Sequence, residues 1–185
     1  MLEPASSLPP PAGIDSCHAV LTYEGVGREL VARLKYRNAR TALRWLVVQM
    51  SMLVDPTAVD VITWVPTTTA RRHERGFDQA HLLAKALSRR LCRPCRPLLV
   101  RAHGPPQTGR TATERLAGPA LSAGPNVRRH VARHVVLVDD VITTGTTMTV
   151  AARHLRAAGV ERIVAVAAAR TPLRRIRAGP RPELR

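Results

Sequence analysis

Two adjacent carboxylates, Asp139 and Asp140, are followed after two apolar residues by Thr143-Thr144-Gly145-Thr146-Thr147. These residue types, in this order, suit a sugar phosphate. Carboxylate oxygens can orient sugar hydroxyls, and a run of hydroxyl residues with exposed backbone N–H groups can wrap a phosphate monoester. The central glycine allows the backbone to approach closely or to take a positive φ. Either half alone carries little weight, because paired acids often only cap or solvate a strand end and Thr-rich loops often only begin helices. The combination gains its meaning from a strand before it and a helix after it.

Both are legible. Val135 to Val138 is an uninterrupted, largely β-branched apolar run, which predicts a central strand covered on both faces of a parallel sheet. Ligands of such sheets bind beyond the carboxyl ends of the strands, where the two acids fall. Downstream, Val150, Ala151, His154, Leu155 and Ala158 recur at helical spacing and stop at Gly159. The Thr-Gly loop therefore lies over a helix N-terminus, whose partial positive charge favours an anion. A lysine-containing nucleotide loop is excluded: no Gly-x-x-x-x-Gly-Lys occurs, and the only lysines are Lys35 and Lys85.

The rest of the chain reads as one alternating α/β domain. Residues 1–16 are Pro- and Ser-rich and are expected to be loose. Gly27–Tyr36 and Thr41–Leu53 have amphipathic helical spacing, and Val59–Val65 predicts a strand that leaves the sheet at Pro66. Phe77–Leu91 predicts a helix with Ala80, Leu83, Ala84 and Leu87 on one face. Pro97–Val100 predicts a short strand before a Gly- and Pro-rich loop, and Arg162–Ala169 another buried strand. The basic, Pro-rich tail 171–185 is expected to be disordered.

With these residues in place, Val135–Thr149 resembles the phosphoribosyl pyrophosphate (PRPP) motif of type I phosphoribosyltransferases. Val65-Pro66 and the stretch Arg71-Arg72-His73-Glu74-Arg75-Gly76-Phe77-Asp78-Gln79 resemble the signature of the ComF branch, which includes GntX-like proteins. Gln107-Thr108-Gly109 with Glu114-Arg115 resembles a further segment of that branch. Three features depart from it. Asp78 stands where the branch usually has Asn, Gly118 occupies a place after Arg115 where Asn is common, and Cys17 is the only cysteine before residue 90, where many relatives carry a zinc ribbon of paired Cys-x-x-Cys motifs.

The resemblance implies a type I phosphoribosyltransferase-like α/β fold, a mostly parallel central sheet flanked by helices with a small N-terminal helical subdomain. It places that subdomain, at residues 17–58, over the active site, and the PRPP-binding core at 59–170. It implies that Asp139 and Asp140 hold the ribose hydroxyls and that Thr143, Thr144, Gly145, Thr146 and Thr147 wrap the 5'-phosphate. Arg71, Arg72 and Arg75, with the backbone of Thr67 and Thr68, are the candidates for pyrophosphate, Arg75 being counted with the two acids as catalytic. Gln107 and Arg115, with Arg101 and Thr108, fall in the segment that relatives use as a mobile lid. Mg²⁺ is implied as cofactor, held at Asp139 and Asp140 through water and by substrate oxygens. The expected partners are PRPP and a small-molecule acceptor, and a homodimer is a further expectation.

Composition agrees with these readings and narrows the other classes. A chain of 185 residues with 45% hydrophobic content can bury the core of one domain. No apolar run approaches the ~20 residues that span a bilayer, and no secretory signal is visible, so a cytoplasmic location is expected. Three cysteines suit a reducing compartment, and Cys92-Arg93-Pro94-Cys95 supplies two zinc ligands without a convincing third and fourth. The net charge of +16 favours anionic ligands, phosphates or nucleic acid. Aromatic content of 3% argues against a stacking platform for single strands, leaving only non-specific single-stranded DNA binding on this count. Two rival functions stand beside the enzyme: a non-catalytic accessory that binds nucleic acid through its basic surface, as the ComF resemblance implies for DNA uptake in competence, and a PRPP-sensing regulator.

Overall fold

The computed structural model describes residues 9–34, 40–68, 77–101, 121–124, 127 and 132–172. In chain order the elements are β1 (Ser16–Thr22), α1 (Gly25–Arg33), α2 (Arg40–Met52), β2 (Val61–Trp64), α3 (Gln79–Leu91), β3 (Leu99–Arg101), β4 (Leu121–Ala123), β5 (His134–Ile142), α4 (Thr146–Ala157) and β6 (Arg162–Arg170). Four of the strands form a sheet in the order β1-β6-β5-β2, every neighbour parallel. β3 and β4 make a separate antiparallel pair.

The apolar run that predicts a central strand is the middle of β5, where Val135, Val136, Leu137 and Val138 are each at most 1% exposed. Strand residues alternate between faces, so each face needs its own cover. Val135 and Leu137 join Met148, Ala151, Ala152 and Leu155 of α4, together with Leu99 and Leu121 of the β3–β4 pair. Val136 and Val138 join Val31 of α1, Leu46 and Met50 of α2, and Leu83, Ala84 and Leu87 of α3. The result is a three-layer α/β/α sandwich in which α1 and α2 pack on the face of the main sheet.

Caps explain several element boundaries. α3 begins at Gln79 because the Asp78 side chain accepts the His81 N–H at 3.2 Å, and it ends where Cys92 turns left-handed at φ 53. β2 begins only at Val61. Before it, Pro56–Ala58 forms a 3-10 turn capped by Asp55, and Asp60 accepts the N–H groups of Arg133 and His134, each at 2.8 Å. These two bonds set β2 and β5 in register and hold the Asp60 carboxyl below its ordinary range.

The N-terminal region differs from the sequence reading. Residues 9–15, expected to be loose, are docked, with Ile14 only 6% exposed in the core beside α4. Ser16, expected in the loose N-terminus, and residues 17–22, placed by sequence in a helical subdomain, instead form strand β1 at the edge of the sheet. The segment Ser-Cys-His-Ala-Val-Leu-Thr lacks clean alternation because an edge strand in a parallel sheet is covered unevenly, leaving six of its seven positions only half-buried. Residues 173–185 lie outside the described residues.

Candidate active site

The site begins as a notch in the sheet. β2 pairs with β5 only as far as Trp64 opposite Val138, and one more bond, from Val65 N–H to Val138 O at 2.9 Å, closes the ladder. Pro66 has no N–H to continue it, and the chain turns away. β5 runs on against β6 as far as Ile142 opposite Arg170. Beyond Val138, therefore, β5 is paired on one side and borders a cleft of about 370 Å³ on the other.

Asp139 and Asp140 both line this cleft, although consecutive strand residues should face opposite ways. The alternation fails at this end of the strand: Val138 and Val141 both pack with the α1–α3 layer, while Ile142 packs with α4. Each carboxylate also folds back on the backbone. Asp139 Oδ1 accepts the Asp140 N–H and Asp140 Oδ1 the Val141 N–H, both at 2.8 Å. Burial, and then the neighbouring charge of Asp140, push the Asp139 carboxyl well above its ordinary range, with a smaller contribution from Asp78. A cation or a set of hydroxyl donors at this point would relieve that strain.

The Thr-Gly loop closes the cleft at the start of α4. Gly145 takes φ +79, a left-handed conformation that suits glycine, and is the N-cap of α4, its carbonyl accepting the Thr149 N–H at 2.9 Å. Thr143 and Thr147 line the cleft. Thr144 and Thr146 are exposed, and their hydroxyls bond to each other at 2.9 Å. The first turn of α4 contains no acidic residue, so nothing there offsets the positive end of the helix.

Several residues of the cleft wall, Tyr23 and Asp78 among them, receive no site role from sequence, and Arg101, expected in the lid segment, lines the cleft itself. Asp78 uses both oxygens on backbone, accepting His81 N–H and, from Oδ2, Thr67 N–H at 3.0 Å. The sequence reading starts this helix at Phe77 and so places Asp78 inside it, whereas Asp78 caps a helix that begins at Gln79 and also reaches Thr67. Thr67 lines the cleft, yet its N–H is committed to Asp78 and is not free for a ligand in this conformation. Arg101, at the end of β3, lines the cleft and donates from Nη1 to Pro66 O at 3.0 Å. Tyr23, just past β1, lines the same cleft as the acids, and no signal could reveal it without β1 itself. Val31, Val65, Phe77 and Ala80 give the cleft an apolar wall.

Thr68 is described but does not line the cleft. Arg71, Arg72, Arg75, Gln107 and Arg115 lie outside the described residues. Cys92 is exposed and Cys95 half-buried, both free, and burial raises the Cys95 thiol. Among the described residues no group of three or more His, Cys, Asp or Glu side chains converges as a metal cage, and no helix is long and apolar enough to cross a membrane.

A strand-end acid pair, a left-handed glycine at a helix N-terminus and a parallel sheet together match a known domain. The model of the phosphoribosyl transferase domain matches residues 78–180, more than half of the chain. The chain belongs to this phosphoribosyltransferase family. Within it, the relatives are of the ComF type: Competence protein ComFC of Bacillus subtilis (strain 168) is 31% identical over 140 residues, covering 74% of this chain and 56% of the relative. Competence protein F of Haemophilus influenzae is 35% identical over 137 residues, covering 72% and 56%. The chain thus spans about half the length of these curated relatives.

Among solved structures, the glutamine PRPP amidotransferase from B. subtilis, complexed with ADP and GMP, superposes with a TM-score of 0.51 at 22% identity, over 75% of this chain and 30% of that one. A second, described as the allosteric regulatory enzyme of purine biosynthesis, gives 0.50 at 20% identity, over 75% and 30%. These two likenesses establish the phosphoribosyltransferase-like α/β fold, as the sequence resemblance implies.

Proposed function

We propose that this phosphoribosyltransferase-family chain binds PRPP and transfers its 5-phosphoribosyl group to a small acceptor, releasing pyrophosphate. The observation that carries this reading is that Asp139 and Asp140 share one cleft with Thr143 and Thr147 at the N-terminus of α4. A sugar phosphate laid across the cleft would meet the carboxylates with its 2'- and 3'-hydroxyls and the helix end with its 5'-phosphate.

In that pose the Thr144 and Thr146 hydroxyls exchange their mutual bond for phosphate oxygens, and Thr143 and Thr147 add donors from the cleft side. Asp139 and Asp140 orient the ribose and hold negative charge near the anomeric carbon, where positive character develops as the C1–oxygen bond to pyrophosphate breaks. The bonding pair departs on pyrophosphate, the acceptor forms the new bond to C1, and the acceptor's proton passes to solvent or to a nearby base. Arg71, Arg72 and Arg75, close in sequence to Pro66, are proposed to receive pyrophosphate with planar guanidinium donors, Arg75 acting on the leaving charge. Arg101 adds a cation at the cleft itself. Gln107 and Arg115 are proposed to belong to the segment that excludes water once substrate is bound.

The donor set fits Mg²⁺. Two hard carboxylates without a surrounding protein cage suit an ion that keeps water and substrate oxygens in its shell, and the raised Asp139 carboxyl ionises more readily beside a cation. When bound, the ion would neutralise pyrophosphate oxygens.

The test is pyrophosphate release from PRPP in the presence of Mg²⁺ and a panel of candidate acceptors, using a coupled assay. Release that depends on one acceptor and is abolished by Asp139→Asn with Asp140→Asn supports transfer. PRPP binding without release for any acceptor would reduce the reading to a binding protein.

A further inference from the structure

We propose that residues 9–15 form a brace that holds the phosphate loop in its anion-binding conformation, with Pro11 as the positioning residue that acts through Gly145. The proposal rests on the reading of that loop as a 5'-phosphate site. The segment runs along α4 from one end to the other. At the loop, a Cβ placed on Gly145 would lie 2.9 Å from Pro11 Cγ and 3.2 Å from Pro11 Cβ, so the proline ring sits directly against the left-handed glycine. Midway, Gly13 approaches Ala152 so closely that a Cβ there would lie 3.2 Å from the alanine methyl. At the far end, Arg156 donates from Nε to Gly13 O at 3.2 Å and from Nη2 to Asp15 Oδ2 at 2.6 Å.

Each part of the brace is fixed independently. Ile14 N–H closes a turn onto Pro11 O at 3.1 Å, with Gly13 at φ +82, and the Ile14 side chain is buried. Asp15 exchanges two bonds with the Ile163 backbone, accepting at 2.6 Å and donating at 3.0 Å. Arg170, 8% exposed at the end of β6, donates from Nη2 to Pro9 O at 3.2 Å. Pro11 does not line the cleft, whereas Thr143 and Thr147 do.

The physical need follows from glycine. Gly145 is the loop residue with the widest choice of backbone conformation, and its φ decides where the N–H groups of Thr146, Thr147 and Met148 point. A ring of fixed φ packed against it removes alternatives before ligand arrives. Preorganisation of this kind appears as affinity, because the ligand no longer has to order the loop.

Two readouts test this: amide hydrogen exchange without ligand at Thr149, whose N–H is bonded to Gly145 O, and calorimetric affinity for ribose 5-phosphate. Pro11→Gly and Asp15→Ala should each speed exchange of that amide about tenfold and weaken ribose 5-phosphate about fivefold. Asp60→Ala, which loses backbone contacts at the opposite end of β5, should lower the melting temperature while leaving both readouts at wild-type values. Loop exchange unchanged in Pro11→Gly and Asp15→Ala, or altered equally in Asp60→Ala, would overturn the brace. If the wild type binds no ribose 5-phosphate, the phosphate reading fails, and exchange alone still decides the brace.

Discussion

The carboxylate of Asp78 accepts the backbone N–H of Thr67 at 3.0 Å, tying the segment that leaves the sheet after β2 to the N-terminus of α3. The same side chain caps that helix through His81 N–H. One carboxylate with two oxygens can serve both donors, and an amide oxygen cannot do so as well. Asp78→Ala should therefore destabilise the fold by about 2 kcal/mol, and Asp78→Asn by about half of that. Urea denaturation measures both. Equal stability of Asp78→Ala and wild type would show that the two bonds contribute nothing in solution.

Asp139 makes a prediction with a definite sign. Its carboxyl is raised in the folded state, by burial and by Asp140. A raised acid favours folding below the ordinary carboxyl range and loses that contribution as pH rises through the folded value. Asp139→Asn should thus match wild type in acid and exceed it at neutral pH by about 1 kcal/mol, while impairing ligand binding, as functional sites commonly trade stability for activity. Paired urea titrations near pH 4 and pH 8 check it. A variant less stable than wild type at pH 8 would contradict the sign.

Gly145 is open to a direct steric test. A methyl group there must adopt φ near +79 and meets the Pro11 ring. Gly145→Ala should cost about 1–2 kcal/mol in the left-handed backbone alone. Thermal denaturation reads the loss, and ribose 5-phosphate affinity should fall with it. An unchanged melting temperature would show that the loop relaxes to another conformation.

Arg101 holds Pro66 O while lining the cleft. Arg101→Ala should weaken PRPP about tenfold, in keeping with loss of a charged hydrogen-bond donor. Ribose 5-phosphate, which lacks the pyrophosphate, should be nearly unaffected. Equal losses for the two ligands would place Arg101 in the fold rather than at the pyrophosphate end of the site.

The parts of this site that sequence revealed are those written locally. Val135–Val138, the acid pair and the Thr-Gly loop fall in one short stretch, so strand, ligand groups and helix cap appear in order. Asp78 falls inside the helix expected from Phe77, because the apolar stripe does not mark where the first turn begins, and its cap on His81 N–H shows only in the structure. Its bond to Thr67 is not legible either, because nothing in local spacing fixes where the chain returns after leaving the sheet. β1 escaped notice for a related reason: with few fully buried positions, it has no period to read. The docking of Pro11 on Gly145 joins residues far apart in sequence through packing alone. The facing of both Asp139 and Asp140 into one cleft needed the loss of alternation at the end of β5, which pattern reasoning would have denied.

Binding of PRPP by the Asp139–Asp140 pair together with the α4 loop can be measured by calorimetric titration, with and without Mg²⁺, on wild type and on the Asp139→Asn, Asp140→Asn double variant. Saturable binding that Mg²⁺ strengthens, and that the folded double variant lacks, is expected. No binding to folded wild type, or undiminished binding to the double variant, would overturn the site.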